Sequence, residues 1–421
     1  MTLKGRSIVS IGDLSRAEIE LIFRCAERFA AQPRGQTHLG RGFQLATLFF
    51  EPSTRTRLSF ESAMNRLGGA VLTVADGAQS SASKGETLSD TARIVSAYAD
   101  VIVLRHPAEG AARVAADAAG VPVINGGDGA HEHPTQTLCD LYTLGQECGK
   151  IEGLTVTLYG DLKYGRTVHS LAYGLALFGG RIIFAPADPA LAPPAYVLEE
   201  LRTVYGVEPE WWDPNDGTPM PTADALYLTR VQKERFSGSA AGTREYPRID
   251  KAILKRWGVP DYTVLMHPLP RAGELDPELD NETRSAYFRQ AAYGVPVRMA
   301  AIALILGIAE EEWASGWGGR HGATPGQGGA LTDAHATTEF SAAGLSCANP
   351  GCITNREPGS AERRFVLASL DPSRGVRCRY CDAVVRASVG ESPFGADERD
   401  ATAKALLTGA LLEYAPLGAA D

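Results

Sequence analysis

Twice along this chain, short apolar runs of strand length end on polar or charged motifs and lead into helical patterns. Strands alternating with helices specify parallel sheets covered by helices on both faces. In the first half the strands read 45–50 and 101–104, and the helices about 13–30, from Ser53 to Gly68, 87–98, 109–119 and 135–148, with Val121–Asn125 and a Gly-rich turn before the last. The pattern then restarts with strands at 155–159, 181–185, 225–229 and 263–266 and a helix at 167–178. The expected fold class is therefore α/β, with two doubly wound parallel-sheet domains and a cleft between them. A long apolar segment, Phe288 to Ile308, reads as a final helix packed across both halves. The polar motifs fall just after strands, where open α/β sheets place their ligand sites.

The motif at the first of these positions is the most informative. Pro52 halts the strand, Ser53 stands where a helix N-cap would stand, and Thr54, Arg55, Thr56 and Arg57 follow. First-turn N–H groups lack internal partners and carry partial positive charge, so an anion is stabilised there. A guanidinium such as Arg55 adds full charge and a two-pronged grip on phosphate. An apolar stripe at Phe60, Ala63, Met64 and Leu67 then carries the helix to Gly68-Gly69. The segment reads as a phosphate cradle; the bland alternative is a solvated helix cap, which needs fewer donors than this.

Composition narrows the ligand. With 44% hydrophobic and 22% charged residues the chain is an ordinary globular one, and its net charge of -9 disfavours a general nucleic-acid face. A local basic pocket on an acidic body suits a small anion. No apolar run reaches the roughly 20 residues that span a bilayer, and Met1 to Arg6 has no signal-peptide core, so a cytoplasmic location away from membranes is expected. Cys25, Cys139 and Cys148 lie scattered, as small buried thiols do. Cys347 and Cys352, with four residues between them, and Cys378 and Cys381, with two between them, instead form two pairs separated by 25 residues. In a reducing compartment that spacing points to structural Zn2+ held by four thiolates.

Seven segments, in this order, resemble the catalytic chains of aspartate carbamoyltransferases over about residues 5 to 310. They are Phe50-x-x-Ser53-Thr54-Arg55-Thr56, Lys84-Gly85-Glu86-Thr87, Arg105-His106-Pro107, His133-Pro134-Thr135-Gln136, Gly160-Asp161-Leu162-Lys163-Tyr164-Gly165-Arg166, Thr229-Arg230-Val231-Gln232-Lys233-Glu234 and His267-Pro268-Leu269-Pro270-Arg271. The resemblance implies that Ser53, Thr54, Arg55, Thr56 and Arg105 grip the phosphate of carbamoyl phosphate. It implies that Thr56, Arg105 and His133 point at the carbonyl oxygen, and that Gln136 and the backbone carbonyls of Leu269 and Pro270 hold the carbamoyl amino group. Arg166, Arg230 and Gln232 would bind L-aspartate; two planar guanidiniums suit two carboxylates. Ornithine carbamoyltransferases, the nearest rivals, carry a Cys where this chain has Pro268. A carbamoyltransferase for another amine and a catalytically silent scaffold are the alternatives.

The same resemblance implies that Ser80 and Lys84 sit on a loop that completes a neighbouring subunit's site, in a homotrimer. Relatives often carry two lysines before Gly-Glu-Thr, whereas here Ser83 precedes Lys84. The C-terminal cysteines, in Cys347-Ala-Asn-Pro-Gly-Cys352-Ile-Thr-Asn and Arg377-Cys378-Arg-Tyr-Cys381, resemble the zinc domain of the aspartate carbamoyltransferase regulatory chain, which binds catalytic chains. A generic zinc ribbon for nucleic acid competes with that reading. The regulatory chain's nucleotide-binding domain would need roughly a hundred residues before Cys347, and only a Gly-rich stretch is there, so no nucleotide allostery of that type is expected. The expected division is 1–148 for carbamoyl phosphate, 149–313 for aspartate, a flexible linker at 314–345 spanning about 30 Å, a β-rich zinc module at 346–389, and a tail at 390–421 with a helix near 397–414. The zinc module would brace catalytic chains, bringing two trimers together.

Overall fold

The computed structural model describes residues 2–32, 38–75, 84–232, 246–309, 339–341, 346–367 and 376–385. These fall into two compact units, divided between Gly328 and Gly329.

The first unit opens with helix α1 (Arg16–Ala31), which the sequence announces through a complete capping box between Ser15 and Glu18. Strand β1 (Gln44–Phe49) leads into α2 (Thr54–Leu67), whose buried Phe60, Ala63, Met64 and Leu67 are the expected stripe. Gly68, in the left-handed region at φ 87°, ends α2. Strand β2 (Ala70–Val74) was not expected from the sequence; its residues are largely exposed, so no apolar alternation marks it. Then follow α3 (Leu88–Val95), β3 (Val101–His106), α4 (Ala111–Ala118), β4 (Val123–Asp128) and α5 (Pro134–Cys148). All neighbours in this sheet are parallel, in the order β2-β1-β3-β4.

A second parallel sheet is built from β5 (Thr155–Gly160), β6 (Arg181–Pro186), β7 (Glu210–Trp211), β8 (Ala225–Leu228) and β9 (Val264–Met266), ordered β7-β6-β5-β8-β9. Its helices are α6 (Arg166–Leu177), α7 (Ala195–Thr203) and α8 (Lys251–Arg256); α7, α8 and the two-residue β7 were not expected from the sequence. Helix α9 (Tyr287–Ile305) then returns to pack on α1, α2 and α5. Its Val297, Met299, Ala300 and Ile302 join a core that runs continuously through both sheets with Leu138, Leu141, Leu171 and Phe184. The second sheet's other face has its own core around Tyr159, Ile183, Leu226, Leu265 and Trp257.

Each sheet has one place where strand order reverses, β1/β3 in the first and β5/β8 in the second. Loops diverge there and leave a crevice beyond the strand ends. The motif at 51–57 follows β1, Arg105 lies in β3, Asp161–Arg166 follows β5, and Thr229–Gln232 follows β8.

The second unit holds β10 (Glu339–Ser341), a one-turn helix α10 (Ile353–Arg356), β11 (Arg364–Leu367), β12 (Val376–Cys378) and β13 (Val384–Val385), in one antiparallel sheet ordered β10-β11-β12-β13. Strand β10 corrects the expectation of a linker over all of 314–345, because pairing with β11 gives Glu339–Ser341 backbone partners. The remainder of that stretch and the helix expected near 397–414 lie outside the described residues.

Candidate active site

A cavity of about 500 Å³ opens between the two sheets at their switch points. The first sheet contributes Ser53, Thr54, Arg55 and Thr56 from the start of α2, Arg105 from β3, and His133 and Gln136 from the start of α5. From the second come Arg166 at the first position of α6, Thr229, Arg230 and Gln232 after β8, and Leu269 and Pro270 after β9. Ser53 occupies the N-cap position of α2, as its place after Pro52 suggested, but its side chain makes no cap hydrogen bond. Ser53 and the first-turn residues Thr54, Arg55 and Thr56 all line the cavity.

Charge in the cavity is strongly one-sided. Burial, and then the charge of Arg230, hold the Arg55 guanidinium below the ordinary arginine range. Burial also pushes the His133 imidazole well below its usual value, reinforced by Arg105, Arg166 and Arg298. His133 is therefore neutral at physiological pH, with the Thr135 hydroxyl 3.4 Å from Nδ1. When that hydroxyl donates, the ring proton resides on Nε2. Cationic side chains gathered with so few anions store repulsion that a bound anion relieves.

One carboxylate does enter. Glu51 accepts two hydrogen bonds from Arg166, each 3.1 Å, and one of 3.3 Å from Arg105. Arg105 also donates to the Gly126 carbonyl at 3.1 Å and Arg166 to that of Gly129 at 2.6 Å. Gly127 permits this approach: at φ 113°, a Cβ there would lie 3.0 Å from Arg105 Nη1 and 3.2 Å from Arg166 Cζ.

Buried Asp161 holds the second sheet's share of the cavity in shape. Its carboxylate accepts from the N–H groups of Lys163 (3.2 Å), Tyr164 (2.9 Å) and Gln232 (3.0 Å), so it fixes the loop before Arg166 to the loop after Arg230. At 267–270, His267 Nδ1 accepts from Leu269 N–H (2.8 Å) while Nε2 donates to Glu274 (2.8 Å). This holds Leu269 in a left-handed conformation at φ 51°, costly for a residue with a Cβ, ahead of a cis bond to Pro270.

Comparison with known proteins agrees with this geometry. Residues 6–146 match the family described as aspartate/ornithine carbamoyltransferase, carbamoyl-P binding domain, and residues 152–305 match its Asp/Orn binding domain. The chain belongs to the aspartate/ornithine carbamoyltransferase family. Within it, the aspartate carbamoyltransferase catalytic subunit of Thermococcus onnurineus is 48% identical over 318 residues, covering 74% of this chain and all of the relative. That of Methanothermobacter thermautotrophicus is 50% identical over 305 residues, covering 71% of this chain and 95% of the relative. The crystal structure of aspartate transcarbamoylase from Trypanosoma cruzi in complex with carbamoyl phosphate and aspartate superposes with a TM-score of 0.66 at 38% identity, covering 72% of this chain and 98% of that one. Residues 341–389 match the aspartate carbamoyltransferase regulatory chain, metal binding domain.

Among the described residues to which the carbamoyltransferase motifs gave a role in the first unit, all but Lys84 line this cavity. Lys84 is exposed and does not line it, and Ser80 lies outside the described residues. Sequence reading missed Glu51, although it sits inside the quoted motif, because an acidic residue does not belong in an anion cradle until its two arginine partners are seen. It also missed Gln290 and Arg298, which α9 carries into the cavity. Arg298 is 4% exposed, stacks 5.0 Å from the Phe60 ring and donates to Ser59 at 3.0 Å, while its Nε has no partner among the described residues. A buried charge in an apolar helix was the available signal.

In the second unit, Cys347, Cys352, Cys378 and Cys381 are all buried, with their sulfurs within 4.8 Å of one another. The sulfurs of Cys347 and Cys381 are 3.4 Å apart and those of Cys352 and Cys378 3.8 Å. A regular tetrahedron with metal–sulfur bonds of about 2.3 Å has edges of about 3.8 Å, so the four fit one metal ion and fill its coordination. The N–H of Asn349 points at Cys347 (3.4 Å) and the Thr354 hydroxyl lies 3.3 Å from Cys352, contacts that suit thiolate ligands. No helix among the described residues is long and apolar enough to cross a membrane.

Proposed function

We propose that this chain is an aspartate carbamoyltransferase, moving the carbamoyl group of carbamoyl phosphate to the amino group of L-aspartate to give N-carbamoyl-L-aspartate and phosphate in de novo pyrimidine biosynthesis. The observation that carries the reading is the convergence of Arg55, Arg105, Arg166 and Arg230 with neutral His133 on one cavity between two sheets. Three anionic groups, one phosphate and two carboxylates, account for that much positive charge.

In this reading Ser53, Thr54, Arg55, Thr56 and Arg105 hold the phosphate. Thr56, Arg105 and His133 Nε2–H donate to the carbonyl oxygen, which becomes an oxyanion as the amine nitrogen bonds to carbon; preorganised donors aimed at developing charge lower that barrier. The C–O bond to phosphate then breaks as the amine's proton passes to a phosphate oxygen, and Arg55 stabilises the departing hydrogen phosphate dianion. Gln136 and the carbonyls of Leu269 and Pro270 accept from the carbamoyl amino group. Arg166, Arg230 and Gln232 orient aspartate, and positioning supplies much of the acceleration without a covalent intermediate.

We further propose that residues 1–148 form the carbamoyl-phosphate half and 149–313 the aspartate half, in a cytoplasmic homotrimer. Ser80 and Lys84 of one protomer complete a neighbour's site; the exposure of Lys84 away from its own cavity supports this. The four cysteines bind structural zinc in a fused module at about 346–389 that braces catalytic chains and joins two trimers, without nucleotide control.

Steady-state assays of carbamoyl transfer to aspartate, ornithine and related amines test the assignment. Aspartate is the expected acceptor; a preference for ornithine ends the reading, and undetectable turnover at saturating substrates supports a silent scaffold instead.

A further inference from the structure

The cavity is rich in donors and poor in acceptors, yet a carbamoyl amino group brings two N–H bonds that need acceptors. The scarce acceptors converge on one buried carboxylate that no substrate-binding role uses. Asp140 lies one helical turn beyond Gln136 on α5 and is 0% exposed. Its Oδ1 accepts from Gln136 Nε2 at 2.7 Å and from Gln290 Nε2 at 2.6 Å, and its Oδ2 accepts from the Tyr227 hydroxyl at 2.8 Å. An ionised carboxylate only accepts, so each amide must turn its NH2 inward and its oxygen away. For Gln136, which lines the cavity, the oxygen is the end of the amide that Asp140 does not hold. For Gln290 the outward oxygen accepts from His267 N–H at 3.0 Å, at the head of the segment carrying Leu269 and Pro270.

We infer that Asp140 is a positioning residue that fixes the orientation of both acceptor groups around the carbamoyl amino group, Gln136 directly and the 267–270 segment through Gln290. This rests on the reading of Gln136 given above. Without the carboxylate, Gln136 can flip and set its NH2 against the substrate's NH2, donor against donor. Burial pushes the Asp140 carboxyl up to about 7, against the hydrogen bonds from Gln290, Gln136 and Tyr227 and the charge of Arg298. Assays therefore belong at pH 8, where it is ionised.

The readout is discrimination between carbamoyl phosphate and acetyl phosphate, which replaces the amino group by a methyl and offers no N–H bonds. A site that reads N–H bonds rejects an analogue lacking them. Gln136→Ala lowers the ratio of the two kcat/KM values if Gln136 reads the amino group. Asp140→Leu, which offers no acceptor, lowers the same ratio by about tenfold or more. Asp140→Asn keeps it within about threefold, because its Oδ1 still accepts from both amides while Nδ2 meets the Tyr227 hydroxyl. Asp140→Ala is read in the same way if the leucine variant does not fold, with thermal unfolding checked for each protein. Equal loss with both donor substrates in Asp140→Leu or Asp140→Ala, with Gln136→Ala still lowering the ratio, overturns the role of Asp140 and leaves the site reading intact. An unchanged ratio in Gln136→Ala removes the reading of Gln136 and this inference with it.

Discussion

Acidification should destabilise the first unit through one histidine whose surroundings are fully specified. His169, 1% exposed on α6, lies with Nε2 2.8 Å from the Leu162 carbonyl and Nδ1 3.4 Å from both the Tyr196 hydroxyl and the His131 carbonyl. Burial outweighs the carbonyls and pushes the imidazole down from 6.5 to about 4. The folded protein therefore refuses a proton that the unfolded chain accepts near pH 6.5. The unfolded state binds more protons between those two values, so stability is complete above about pH 6.5 and falls as the pH drops towards 4. One pH unit of differential binding is worth about 1.4 kcal/mol, which gives a loss of about 2 kcal/mol at pH 5 relative to pH 8 from this residue alone. His169→Gln retains an N–H for the Leu162 carbonyl and cannot titrate. Urea unfolding of both proteins at pH 8 and pH 5 isolates the effect, because His133 and every other titrating group are common to the two. The wild-type chain should lose about 2 kcal/mol more than the variant between those pH values. Equal losses would refute the claim that His169 is folded in its neutral form.

The remaining predictions concern the site and the metal. Arg55→Ala should lower kcat at least about a hundredfold by removing charge stabilisation of the leaving phosphate; an unchanged rate contradicts that role. Inactive Lys84→Ala and Arg55→Ala proteins, mixed and reassembled, should regain activity through sites that combine both intact residues, and no recovery in verified mixed trimers counts against sharing. Chelation of the metal, or Cys378→Ser, should unfold the C-terminal module and change native mass while the rate of carbamoyl transfer per catalytic site is kept. A matching loss of that rate would be evidence against a purely structural metal.

Much of this was legible in the sequence because local signals coincided with global ones. The stripe at Phe60, Ala63, Met64 and Leu67, the Ser15 capping box and the apolar strands each specify an element that the core then buries. Strand β2 carried no such signal: Leu72 is 42% exposed, and the strand exists through its pairing with β1. The cationic residues of the cavity were readable because seven motifs stand in the order seen in aspartate carbamoyltransferases; taken singly, Arg105 suits a strand end and Arg166 a helix start equally well. Glu51, Gln290, Arg298 and Asp140 were not, since each acts through a partner far away in the chain. Gln290 and Asp140 are 150 positions apart, and only the fold makes them neighbours.

Helix α9 is encoded with the second half but seats on α1, α2 and α5 of the first. During synthesis, the amino-terminal layer must leave the ribosome with a groove along those helices still uncovered. It can close only when residues as late as Ile305 have emerged, so the catalytic body matures as one cooperative piece rather than as two lobes finished in turn. Truncating the chain within α9 would injure the early half first, by removing its lid of Val297, Ala300 and Ile302 and leaving apolar side chains open to aggregation.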